Sequence, residues 1–178
     1  MPGRTADRRV DAGRIGALIV GAAAAWAFAG CAGGRIEGGI YHSSKGYRVT
    51  LPGTEWTVAQ DSRADLELRH RASPAGILAN ASCDGRAAAG LGVLTRHLLM
   101  GLDGRATLER DEVDVNGRRA AHTVLEGRLG AGDAPVRVET YVLKDARCVY
   151  DFAYVAPPAS FEAWRAEFRR LVESFVTE

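Results

Sequence analysis

A chain of 178 residues, 47% of them hydrophobic, is long enough to bury the core of one ordinary domain. Its 23 basic and 22 acidic residues give a net charge of +1, which is no nucleic-acid footprint. The basic residues are arginines except for Lys45 and Lys144 and are interspersed with acids, so they read as a mixed solvated surface without partner information. The chain opens on Arg4, Arg8, Arg9 and Arg14, and the uncharged apolar run IGALIVGAAAAWAF follows from Ile15. That is the layout of an export signal, assigned to residues 1–30. The uncharged stretch to Gly34 reaches about 30 Å as a helix, but its strongly apolar part ends near Phe28 and covers only about 21 Å. A retained membrane anchor is therefore the weaker reading.

Two other fates compete for this segment. Ala27-Phe28-Ala29 fits small-x-small cleavage, which would release a secreted protein beginning at Gly30. Alternatively, Phe28-Ala29-Gly30-Cys31 resembles a bacterial lipobox, with Phe where the pattern prefers Leu. The resemblance implies that Cys31 is acylated and becomes the mature N-terminus, anchored to a membrane. Cysteine arithmetic favours this reading. The chain has three cysteines, and an odd thiol outside the cytoplasm needs an explanation that lipidation of Cys31 supplies. Arg8-Arg9 suggests twin-arginine export, but the flanking DRRVDAGR does not otherwise resemble that motif, and general secretion is preferred. Ala32, in place of an acid after the cysteine, resembles outer-membrane sorting in enteric bacteria. Removal of the leader takes the formal charge from +1 to −1. Residues 31–39, CAGGRIEGG, are expected to form a flexible tether, and residues 40–178 a single globular domain.

Along that domain, Tyr47–Leu51 alternates as a strand, Pro52-Gly53 turns, and Glu55–Val58 resumes extended structure, a hairpin-like opening. Asp65–Arg69 alternates as a half-buried strand, Ser73–Gly76 breaks it, and Ile77–Cys83 reads as a more buried one. Between Ala87 and Leu102 the residues Leu91, Leu94, Leu98 and Leu102 form one helical stripe, weakened by Gly90, Gly92 and Gly101. Asn116-Gly117 between two alternating runs predicts a two-residue hairpin. Val136–Leu143 and Cys148–Val155 form a second strand pair. After Pro157-Pro158, Ser160 is placed to cap a helix whose stripe is Phe161, Trp164, Phe168, Leu171, Val172 and Phe175. Arg165, Glu167, Arg169, Arg170 and Glu173 lie on its opposite, solvent-facing side.

These elements predict an α+β fold, an antiparallel sheet flanked by helices. GYRVTLPGTEW, VDVNGRRA and VYDFAYVAPPASFEAWRAEFRRLVESF resemble the PsbP/Mog1-like family. The resemblance implies an α/β/α sandwich in a group that includes photosystem accessory proteins, a small-GTPase-binding protein and many bacterial lipoproteins; none of the family's functional residues is carried over. No catalytic constellation is present. Glu112-x-Asp114-x-Asn116-Gly117 approaches a calcium loop but has Thr123 where the closing Glu is needed. His42, His70, His97 and His122 lack metal-ligand spacing, so neither metal nor other cofactor is expected. Cys83 and Cys148 are disulfide candidates, the alternative being two separate buried thiols. The expected function is that of a non-catalytic cell-envelope lipoprotein, on the outer membrane or the periplasmic face, whose domain binds or scaffolds another envelope protein. The alternative is a small or lipidic ligand in a cleft between sheet and helix, with Trp56, Trp164 or Tyr154 lining it.

Overall fold

The computed structural model describes residues 34–130 and 134–178, which belong to one compact unit, Cys31–Glu178. In chain order β1 (Gly34–Glu37), β2 (Ile40–Ser43), β3 (Tyr47–Thr50), β4 (Trp56–Val58), β5 (Leu66–His70) and β6 (Gly76–Ser82) come first. A single 3-10 turn, Arg86–Ala88, leads into α1 (Leu91–Leu98). The long hairpin of β7 (Leu102–Val115) and β8 (Arg118–Leu129) follows, then β9 (Pro135–Lys144), β10 (Val149–Ala156), α2 (Phe161–Glu173) and β11 (Val176–Thr177).

All pairings are antiparallel, in a four-stranded sheet of order β1-β2-β3-β11 and a seven-stranded sheet of order β4-β5-β6-β10-β9-β8-β7. The expected α+β architecture holds, with helices on both faces of the larger sheet. On one face α2 buries Phe161, Phe168, Leu171 and Val172 against Tyr141, Leu143, Tyr150, Phe152 and Tyr154. On the other, Leu94 of α1 packs on Val142 and Val149. Coverage from both sides explains why every residue from Val138 to Leu143 is buried, where a one-sided sheet would alternate.

Several local expectations are corrected. Gly34–Glu37, assigned to the tether, is strand β1, because Gly38 and Gly39 adopt φ of 57° and 78° and close a tight hairpin onto β2. The opening hairpin does not form: β3 and β4 lie in different sheets, and the edge of β3 that β4 would occupy is taken by β11. Leu102 leaves the helical stripe. The helix ends before Gly101, whose φ of 94° turns the chain into β7. Ser160 occupies the N-cap position without a side-chain cap bond; its hydroxyl turns back to the Pro157 carbonyl at 3.4 Å. Phe175 lies beyond the helix, yet stays in the core.

The Asn116-Gly117 turn forms as expected, with φ of 51° and 78°, the left-handed pair that a type I′ turn requires. Its side chain does more than permit the turn. Asn116 Nδ2 donates to the carbonyls of Glu173 at 2.8 Å and Phe175 at 2.9 Å, so the hairpin tip satisfies acceptors that the end of α2 leaves open.

Candidate functional site

Of the candidates read from the sequence, Cys31 lies outside the described residues. Cys83 and Cys148 are joined by a disulfide, Cα to Cα 4.1 Å, immediately beyond the Ser82–Val149 pair of β6 and β10. The calcium-loop oxygens are engaged elsewhere: Asp114 accepts the Gly117 amide at 2.8 Å and Glu112 faces Arg119 at 3.4 Å. Among the described residues no group of three or more His, Cys, Asp or Glu is placed to hold a metal ion. The aromatic residues considered for a cleft are core instead. Trp56 donates its indole N–H to Glu167 at 2.6 Å, Trp164 packs on His70 with ring centroids 4.0 Å apart, and the fully buried Tyr154 donates its hydroxyl to the Phe161 carbonyl.

A charged network lies between α2 and the larger sheet. Glu139, 0% exposed, accepts hydrogen bonds from Arg165 Nε at 2.9 Å, Arg169 Nε at 3.0 Å and His122 Nε2 at 2.8 Å. The other imidazole nitrogen, His122 Nδ1, meets Asp111 at 2.6 Å, and Arg165 reaches Glu109 at 2.8 Å. Three cationic and three acidic side chains therefore alternate along one chain of contacts. Burial alone would push the Glu139 carboxyl up, but hydrogen bonds from His122 and Arg165 outweigh it and hold the group at about 2. For His122, burial disfavours the imidazolium, yet hydrogen bonds to Glu139 and Asp111 raise its pKa. Glu139 and His122 form the buried centre of the network, while Asp111, Glu109 and Arg169 reach solvent at its edge; through the buried centre it clamps the helix to the sheet. Arg165 and Arg169, expected on a solvent face, instead reach the buried Glu139. The missed signal was Glu139 itself, an acid sharing a face with Tyr141 and Leu143 in an otherwise apolar strand.

The accessible candidate lies on the opposite face. The short α1 packs on β9 and β8 but leaves β7 exposed, and a groove of about 510 Å³ runs beside it. Ala121 and Leu125 of β8 and Leu91 and Leu99 beside them give it an apolar lining. Arg96 projects from α1, and Arg105 and Arg110 from β7. None of these three guanidinium groups has an ion pair or hydrogen bond among the described residues. The acids at the groove, Asp111 and Glu112, are engaged by His122 and Arg119. The arrangement offers unpaired planar donors beside apolar surface, which suits a carboxylate or phosphate carried on an apolar body. By composition these arginines are ordinary solvated surface; only the fold brings them together.

No protein-family model and no curated protein matches the chain. Solved structures do. The solution structure of cyanobacterial PsbP (CyanoP) from Synechocystis sp. PCC 6803 superposes with a TM-score of 0.53 at 12% identity, covering 85% of this chain and 96% of that one. PA94 of Pseudomonas aeruginosa, a protein of unknown function, gives 0.50 at 11% identity over 78% and 96%. LpqN of Mycobacterium tuberculosis, described as involved in cell envelope biogenesis, gives 0.52 at 16% over 74% and 83%. The chain therefore has a PsbP-like α+β fold. At these identities the likeness carries the fold alone. Among the described residues no helix is long and apolar enough to cross a membrane.

Proposed function

We propose that the protein is a lipid-anchored, non-catalytic cell-envelope protein whose domain binds an acidic segment of another envelope protein in the groove between α1 and β8. The observation that carries the reading is the trio Arg96, Arg105 and Arg110, unpaired among the described residues, around an apolar lining. The leader layout and Cys31 support the location, as does the envelope role stated for LpqN. The second reading, a small or lipidic anionic ligand in the same cleft, is favoured by the groove's size, which falls within the range of small-molecule sites.

One experiment separates the two readings. The protein is crosslinked in intact cells, alongside a variant carrying Arg96→Glu, Arg105→Glu and Arg110→Glu. Partner recovery should fall at least about tenfold in the variant, since several charge-assisted contacts become repulsive. Equal recovery of the same proteins overturns the groove as the docking site. A small anion seen by native mass spectrometry on the wild type but not on the variant selects the second reading. For the anchor, Cys31→Ser should abolish palmitate labelling and release the protein from the membrane fraction; labelling that persists rules out Cys31 as the acylated residue.

A further inference from the structure

A second cavity, of about 340 Å³, lies on the other flank of α1, where the helix meets β6 and β10. Asp151 of β10 stands opposite Asn80 of β6 and Val142 of β9, and so on the face that α1 covers. Its Oδ1 is buried and has no hydrogen-bond partner among the described residues. A buried carboxylate oxygen without a donor is rare in folded proteins and costly to keep. Asn80, Ser82 and His97 line the same cavity, and their side chains form no hydrogen bond among the described residues. Leu94, Leu98 and Val149 supply an apolar wall.

We propose that this cavity binds a small primary amine, its ammonium group held by the Asp151 carboxylate and its carbon chain lying against Leu94, Leu98 and Val149. An ammonium carries three donors and no acceptor. The cavity offers a carboxylate, an amide carbonyl, a hydroxyl and an imidazole nitrogen, all of which can accept. Nearby cations do not already fill the role. Arg86, at the rim on the 3-10 turn, is held by Asp84, with Nε to Oδ2 at 2.9 Å and Nη2 to Oδ2 at 2.8 Å. Lys144 of β9 donates to the carbonyls of Ala87 and Ala89, both at 2.8 Å. The titratable and charged groups facing Asp151 are thus Arg86 from the turn and His97 from α1, with none from β6. Burial pushes the Asp151 carboxyl up to about 6, against the opposing pull of Arg86. A cation selects the ionised form, so its affinity should rise as pH climbs through that value.

The test uses the full chain in non-ionic detergent, with n-butylammonium as the probe and tetraethylammonium, which has no N–H donor, as the control. Calorimetry at about pH 7.5 should show saturable butylammonium binding with a Kd at or below about 10 mM. Affinity should fall about tenfold at about pH 5, where the carboxyl is mostly protonated. Tetraethylammonium and the Asp151→Asn variant should each bind at least about tenfold more weakly. Amide-shift mapping on the wild type should place the changes at Asn80, Leu94 and Val149, which keeps the test decisive if the variant does not fold. The proposal is overturned by absence of saturable binding, by affinity unchanged in Asp151→Asn or with pH, or by shifts that map elsewhere. It stands independently of the groove, and its failure leaves the docking proposal untouched.

Discussion

Replacing Glu139 with alanine is expected to lower the unfolding free energy by about 3–5 kcal/mol, the range for removing one partner of a buried charge network. The carboxylate accepts from Arg165, Arg169 and His122 at 2.8 to 3.0 Å. Without it, cationic groups at the helix–sheet junction lose their shared acceptor. The pH dependence gives a sharper signature than the loss itself. The folded-state pKa of Glu139, about 2, lies below its ordinary value of 4.5, so the stability it contributes is present above 4.5 and lost as pH falls toward 2. His122 is shifted upward from 6.5, so its contribution is present below 6.5 and lost as pH rises through the higher folded-state value. The wild type should therefore be most stable between about pH 4.5 and 6.5, and Glu139→Ala should flatten both limbs. Denaturant unfolding at three pH values within and outside that window measures this. A variant within about 1 kcal/mol of wild type throughout would show that the network carries no net stability.

The second large effect is expected from the disulfide. Cys83 and Cys148 are 65 residues apart, and linking them encloses α1, β7, β8 and β9 in a single loop. Constraining a loop of that length in the unfolded chain is worth about 4 kcal/mol. A Cys83→Ser, Cys148→Ser variant should melt roughly 10 °C lower, given the few degrees per kcal/mol typical of a domain this size. The same drop should follow reduction of the wild type, with alkylation confirming that both thiols are free. An unchanged melting temperature with both thiols alkylated counts against the linkage as a stabilising element. Bond formation needs an oxidising compartment, in keeping with the exported location proposed for the chain.

The difference between what was legible in the sequence and what was not follows the range of each signal. Asn116-Gly117, the aromatic stripe of α2 and the paired runs of β9 and β10 are encoded over a few residues by positive φ and by periodicity. Pairing across the chain is not. Nothing local in Val176-Thr177 announces a strand, because two residues carry no period; β11 exists because β3 presents an open edge. The β3–β4 expectation failed for the same reason. At the candidate sites, the three groove arginines come from α1 and β7, and Asp151 acquires its surroundings from β6 and α1. Their proximity is a product of topology alone. Glu139 was the exception that could have been caught, since its strand position among core residues required a buried counter-charge.

The first strand also sets how far the domain can stray from a membrane. A nine-residue tether over 31–39 would reach roughly 30 Å, but pairing of Gly34–Glu37 with β2 leaves only three residues from Cys31 to the sheet, about 10 Å of extended chain. Were Cys31 acylated as proposed, the domain would work on a short leash. On that proposal it would search the plane of its own membrane rather than the space beyond it, and the partners within its reach would be those that bring an acidic segment down to that surface.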